Sequence, residues 1–345
     1  MSKSDTLCIF GLCLATLLSG CGGVDQSSDA TESGQPGPTQ SPNEANNSGP
    51  RPLSDADALV NVPPAATLDF NKAVAFARQG QWEQALTHYD KALVQAPGFA
   101  PAMLNRGIIH FYLKHYEQSI RDFSWVIEQS PTTAETYSNR GVVYEEIGEY
   151  DLAIKDFSET IRLAPGLAKG YFHRANVRAS KGDSEQAIED YDKVIEFEPK
   201  FADAYYNRGT VYDDLGEYKS AIADYTKAID LAPNEASFYY NRAVAYRRMG
   251  KTEEAIAEFS AAINQDPEHT EAMYARGGIY LNKGDYDRAL DDFSEVLRLV
   301  PNNVSSYVSR GNTYHKLGFI DEAIADFNKA RKLDPNAEVP DLSDL

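Results

Sequence analysis

The residues able to do covalent or metal chemistry are few and poorly placed for it. All three thiols, Cys8, Cys13 and Cys21, fall in the first 21 residues. The rest of the chain therefore has no disulfide framework, no thiolate zinc site and no cysteine nucleophile. Six histidines (His88, His110, His115, His173, His269 and His315) are scattered, with no His-x-x-x-His ligand pair. Neither a G-x-x-x-x-G-K-[ST] phosphate loop nor a G-x-S-x-G elbow occurs. The adjacent carboxylates Glu145-Glu146 and Asp213-Asp214 read as acidic surface rather than as acid/base dyads. Two polar series remain. Arg106, Arg140, Arg174, Arg208, Arg242, Arg276 and Arg310 are each followed by an acid sixteen residues on: Asp122, Asp156, Asp190, Asp224, Glu258, Asp292 and Asp326. Arginine can fork two hydrogen bonds onto one carboxylate, so this series predicts structural ion pairs. An anion-binding ladder is the alternative, but the acids would already neutralise it. The second series is Asn71, Asn105, Asn139, Asn207 and Asn241, alongside the aromatics Phe70, Phe172, Tyr206, Tyr240 and Tyr274. An asparagine amide both donates and accepts, so it can pair with any peptide unit whatever its side chains.

Both series ride on a repeat. Prolines 97, 131, 165, 199, 233, 267, 301 and 335 are each 34 residues apart. Counting units from Ala66, position 8 is always Ala or Gly, position 20 is Ala in all units but one (Ser119), and position 24 is always Phe or Tyr. Small residues let two helices approach and the ring fills the space beside them. Position 15 is Gly in every unit except the second, where it is Lys114. This predicts a left-handed stop to a first helix, with the proline ending a second. Each unit then reads as a helical hairpin.

A 34-residue period with these positions resembles the tetratricopeptide (TPR) repeat. The resemblance implies an all-α fold, a right-handed α-solenoid of eight units over 66–99, 100–133, 134–167, 168–201, 202–235, 236–269, 270–303 and 304–337, with 338–345 an acidic tail. Each hairpin leaves an apolar face for its neighbour to cover. Position 28 is Leu or Ile in seven units but Arg331 in the eighth, where stacking should stop. Unit four departs from the pattern at Gly170, Arg178 and Ser184, which reads as tolerated drift, with a bend or a specialised pocket as the alternative. In this family position 6 of the first helix faces the concave groove. The five asparagines resemble the ladder by which some TPR superhelices grip a ligand's backbone, with Phe70, Tyr206, Tyr240 and Tyr274 as apolar grip beside them. Arg106–Asp122, Arg140–Asp156 and Arg208–Asp224 are expected as structural pairs. No unit has the Lys and Asn pattern of chaperone-tail clamps.

The chain has 345 residues, 42% hydrophobic and 25% charged, with a net charge of −19. Such an acidic field repels phosphate backbones, so nucleic acid is not an expected partner. Thr6 to Leu18 is a thirteen-residue apolar run, shorter than the roughly 20 residues a membrane-spanning helix needs, and it fits the core of a signal peptide. It ends in Leu18-Ser19-Gly20-Cys21, which resembles the lipobox of bacterial lipoproteins. That resemblance implies a signal over 1–20, a lipidated Cys21 as mature N-terminus, and, from Gly22, outer-membrane sorting facing the periplasm. Residues 21–65 are rich in Gly, Ser, Pro, Asn and acids and read as a disordered tether with a span of roughly 35 Å. The function expected is a membrane-anchored, non-catalytic scaffold or adaptor that needs no cofactor or metal and binds an extended peptide or partner protein. A groove-based enzyme of envelope or sugar chemistry and a self-associating assembly factor are the alternatives.

Overall fold

Each 34-residue stretch carries two apolar stripes at helical spacing with a glycine between them (Lys114 in the second), and each stretch forms two helices. A computed structural model describes residues 62–340, and among these there are sixteen helices and no strand. In chain order they are α1 (Pro64–Arg78), α2 (Trp82–Gln95), α3 (Ala100–Tyr112), α4 (Tyr116–Gln129), α5 (Ala134–Glu146), α6 (Tyr150–Leu163), α7 (Ala168–Lys181) and α8 (Ser184–Phe197). They continue with α9 (Ala202–Asp214), α10 (Tyr218–Leu231), α11 (Ala236–Arg248), α12 (Thr252–Gln265), α13 (Thr270–Lys283), α14 (Tyr286–Leu299), α15 (Val304–Leu317) and α16 (Ile320–Leu333). The expected signal peptide, Cys21, nearly all of the tether and the last five residues lie outside the described residues.

The chain divides into two compact halves, one ending at Gly182 and the other beginning at Asp183. In the first, α1 packs on α2, α3 on α4 and α5 on α6, while α2 meets α3, α4 meets α5 and α6 meets α7. In the second, α8 meets α9, and the pairs α9/α10, α11/α12, α13/α14 and α15/α16 stack in the same neighbour-to-neighbour way. This is the contact pattern of a solenoid, in which stability runs between adjacent hairpins. Position 3 of the first helix records it. Ala102, Thr136, Ala204, Phe238, Ala272 and Ser306 are 0–2% exposed beneath the preceding hairpin, whereas Leu68 in α1 is 56% exposed. Gly170 has a local reason of the same kind: a Cβ there would stand 3.1–3.2 Å from Ile161 and Thr160 of α6.

Within a hairpin the spacing is set by a ring against a bare backbone. The position-24 aromatics (Tyr89, Phe123, Phe157, Tyr191, Tyr225, Phe259, Phe293 and Phe327) are at most 1% exposed. At Gly107, Gly141, Gly209, Gly277 and Gly311 an added Cβ would lie only 2.7–3.0 Å from the paired ring. Ser119 takes the small position 20 because its hydroxyl donates to the Gly107 carbonyl at 2.8 Å.

The helices end for two different reasons. Seven glycines at position 15 have φ between +70° and +90°, the left-handed conformation that stops the first helix. Second helices stop two residues short of each proline, because the residue before a proline is pushed out of the helical region: Ala164, for instance, has φ −138° and ψ 74°. Lys114 is the one non-glycine residue with positive φ among those described, at +60°. Left-handed conformation costs a residue with a Cβ about 1–2 kcal/mol. Glycine's larger loss of backbone freedom on folding offsets part of that. Lys114→Gly is expected to stabilise the chain by about 0.5–1 kcal/mol, read as a higher urea midpoint; an unchanged midpoint would mean that contacts of the lysine side chain compensate the strain.

Candidate partner-binding face

The arginine series is organised as clamps. Arg106 donates through Nε and Nη2 to the two Asp122 carboxylate oxygens at 2.8 and 2.7 Å. Arg140 grips Asp156 at 2.7 and 2.9 Å, and Arg208 grips Asp224 at 2.8 and 2.7 Å. Arg242–Glu258, Arg276–Asp292 and Arg310–Asp326 repeat the fork. Each clamp joins the first helix of a unit to its second. Burial and pairing work against each other here: desolvation pushes the Asp292 carboxyl above its ordinary range despite Arg276, whereas the bonds to Asp122 make the Arg106 guanidinium hold its proton more tightly.

The remaining guanidinium nitrogen does something that the sequence reading missed. Nη1 reaches back into the preceding unit, to Asp90 from Arg106, Ser124 from Arg140, Ser158 from Arg174, Asp192 from Arg208 and Thr226 from Arg242. One arginine thus holds three helices. The signal was there in the recurrence of small polar residues and acids at position 25. A second missed series is the tyrosines at position 4. Tyr137, Tyr205, Tyr239 and Tyr307 donate their hydroxyls to the carbonyls of Pro131, Pro199, Pro233 and Pro301, at 3.0–3.3 Å. Their rings also lie 5.8–6.0 Å from the arginine carbons of the same helix. Unit one lacks the arginine and reverses the polarity: His88 on α2 pairs with Asp69 on α1 at 2.9 Å, and Gln95 donates to the second Asp69 oxygen. The His88 hydrogen bond holds the Asp69 carboxyl below its ordinary range.

The asparagine series is less uniform. Asn71 is exposed and Asn207 and Asn241 are half-buried, but Asn105 and Asn139 are only 7% and 1% exposed. Phe70 is 5% exposed, packed on Phe99 and Tyr89 with ring centroids 4.9 and 5.9 Å apart. The expectation that all five asparagines and Phe70 line an open groove is therefore corrected. In the first half Asn105 and Asn139 turn into the seam between units while Asn71 stays exposed, and Phe70 belongs to the core. In the second half the open residues are Tyr206 and Tyr240, both half-buried, and Tyr274, 37% exposed. Asn241 donates to the Tyr206 hydroxyl at 2.7 Å.

Family profiles for the tetratricopeptide repeat match residues 54–100, 134–167, 202–235, 240–304 and 304–337, and a TPR-repeat profile matches 175–216. The chain is a tetratricopeptide-repeat protein. Its all-α solenoid fold is shared with a TPR protein from Parabacteroides merdae, at 19% identity over 73% of this chain and 99% of that one (TM-score 0.56). The C-terminal part of a TPR repeat-containing protein from Cytophaga hutchinsonii matches at 18% identity over 68% of this chain and 96% of that one (TM-score 0.59). YrrB, described as a TPR protein with an unusual peptide-binding site, is 26% identical over 52% of this chain and 93% of its own (TM-score 0.46). No curated protein matches the chain. No helix among the described residues is long and apolar enough to cross a membrane.

One buried acid of this TPR chain is poorly compensated. Asp213 accepts from Arg248 at 2.7 Å through Oδ2, while its buried Oδ1 has no hydrogen-bond partner. Burial pushes its carboxyl above the ordinary range, with Arg248 opposing and Asp214 adding to the rise. A carboxyl raised in the folded state carries a penalty that grows as pH rises past the unfolded value, is complete above the raised value and is absent below the unfolded one. Asp213→Asn is expected to be at least as stable as wild type at pH 7, with any advantage shrinking as pH falls towards 4; a large loss at pH 7 would count against the burial argument. The clamps give the opposite expectation. Arg208 and Asp224 side chains are 18% and 9% exposed. Arg208→Ala strands the buried Asp224 carboxylate and should cost about 3 kcal/mol, against less than about 0.5 for the exposed Lys219→Ala, in paired urea melts.

Proposed function

We propose that the chain is a non-catalytic scaffold of the bacterial envelope, tethered through a lipid on Cys21, that binds an extended segment of a partner protein on its first helices. The observation that carries the binding reading is the spacing of Tyr206, Tyr240 and Tyr274. They stand on consecutive first helices of the second half at intervals of 34 residues, part-open, with Asn207 and Asn241 beside two of them. Tyrosine offers a large, stiff contact area with a polar tip, the composition found at protein interfaces. Asparagine adds hydrogen bonds that do not depend on the partner's side chains. Repeats or tether account for nearly every residue, which supports a scaffold over an enzyme. The four hairpins from α9 to α16, held by nearest-neighbour packing, would supply the length needed for an extended segment.

The anchoring half of the proposal rests on the thirteen-residue apolar run and the Leu18–Cys21 motif. A single acyl chain binds membranes only marginally, so several chains on one cysteine are what would make the attachment stable.

Two measurements test the two halves. Tyr240→Ala with Tyr274→Ala should abolish recovery of the proteins that the wild-type chain retains from detergent-solubilised membranes, while the circular dichroism spectrum stays helical; equal recovery would remove the binding face from these residues. Cys21→Ser should eliminate incorporation of a labelled fatty acid and shift the chain out of the membrane fraction. Equal labelling of the two forms would end the lipid-anchor reading.

A further inference from the structure

In the stack, positions 27 and 28 of a second helix lie over position 3 of the next first helix. Ala228 and Ile229 share an apolar cluster with Phe238, and Ala92 and Leu93 share one with Phe99 and Ala102. At Gly170 a Cβ would stand 3.2 Å from Thr160 and 3.1 Å from Ile161, the same two positions of α6. The face of α1 that corresponds is open. Leu68, Asn71 and Ala75, at positions 3, 6 and 10, are exposed, whereas Ala102, Asn105 and Ile109 on the same face of α3 are buried.

The sequence just upstream of α1 carries the residues that would cover this face. Pro63 stands 34 residues before Pro97, so the proline register extends one step above the eight units. On that register Ala58 holds position 27 and Leu59 position 28, the residue types found there in unit one, Ala92 and Leu93. The tetratricopeptide match itself begins at residue 54 rather than at Ala66. Two described residues lead the same way. Pro63 has an extended backbone, φ −57° and ψ 139°, which turns the chain off the α1 axis. Val62, next before it, is partly buried against the apolar cluster that contains Phe70 and Tyr89. α1 begins at Pro64, two residues ahead of the register position at which α3 and α5 begin, so the turn is shorter, yet Val62 still reaches the core. Charge agrees as well. Position 7 of later units is an arginine that reaches back to position 25 of the preceding second helix, as Arg106 does to Asp90. In unit one position 7 is the exposed Lys72, and the upstream position 25 is Ala56, with Asp55 and Asp57 on either side.

We infer that residues 54–61 dock on the open face of α1, with Ala58 and Leu59 over Leu68 and the acids Asp55 and Asp57 beside Lys72. They take the place that the closing turns of a second helix take in later units. Terminal repeats of a solenoid need a polar outer surface, and Ser54, Asp55, Asp57 and Asn61 supply one. The segment is joined to the face through Val62 and Pro63, so it docks without the loss of translational freedom that a second copy of the chain would have to overcome. The stretch left as a flexible tether behind Cys21 then ends before Ser54. None of this depends on what the second half binds.

A double-mutant cycle in urea on the full chain tests the contact, with Leu59→Ala and Leu68→Ala made singly and together. Each single change should lower the midpoint, and the pair should lower it by less than the sum, because residues in contact are coupled. Val60→Ala is the register control: position 29 is exposed in all of the first seven units, so the midpoint should not move. Hydrogen exchange reads the same contact without mutation, and the amides from Asp57 to Leu59 should exchange at least about tenfold more slowly than unprotected ones. A silent Leu59→Ala, additive effects of the pair, or unprotected amides over these residues would overturn the inference. So would a Val60→Ala as costly as Leu59→Ala. A Leu68→Ala effect seen only at high protein concentration, with Leu59→Ala silent, would assign the face to a second copy of the chain instead.

Discussion

A ring pressed onto bare helix backbone is the contact on which the rest of this structure depends. Phe157 stands where a Cβ on Gly141 would come within 2.8 Å, and Phe327 leaves still less room at Gly311. The distance between the two helices of a hairpin is set there, and it is short enough for side chains on either side of the seam to reach across. Each buried ring contributes about 1.5–3 kcal/mol by leaving water, and its fixed place determines how the next hairpin can dock. Ala73, Ala175 and Ala243 occupy the same position in other units, so the seam absorbs one methyl group where its surroundings shift to suit.

Short hairpins make the arginine clamps possible. A guanidinium on the first helix can fork onto an acid sixteen residues later only if the two helices are in close contact, and its third nitrogen can then reach the preceding second helix. Those ion pairs are partly desolvated, and pairing in such a setting roughly repays the cost of leaving water rather than adding much net stability. Their value is positional: one planar group with three fixed directions admits one arrangement of three helices. The tyrosine hydroxyls on the proline carbonyls fix the turns between units in the same manner. Unit one, the first of the described hairpins, has neither Arg nor Tyr at those positions and uses Asp69, His88 and Gln95 instead.

Because packing and clamps occupy one side of each first helix, the opposite side is left to vary. In the first half that side is filled by Phe70, Asn105 and Asn139, which close into the seam. In the second half the tyrosines at position 5 remain part-open, and Asn241 and Ser309, at position 6 of the following units, reach the hydroxyls of Tyr206 and Tyr274. The regular positions are committed to holding the stack, so the units differ from one another chiefly in these departures from regularity.

The sequence alone determined the helical hairpin, its length and its stops, because a 34-residue period, a left-handed glycine and a helix-breaking proline act through local backbone geometry that needs no distant partner. It also determined the Arg–acid pairs, since both members lie inside one hairpin at a constant separation. Lys114 was visible as an exception, and it adopts the same left-handed turn at a strain that glycine would not carry. Only the tertiary structure decided which asparagines are open. Position 6 lies on the border between seam and groove, and which side a given residue joins depends on the bulk of its neighbours on adjacent helices rather than on its own type. The same reason hid the third arginine contact and the Asn241–Tyr206 bond: each joins residues of different units, whose separation is fixed only after the hairpins have stacked.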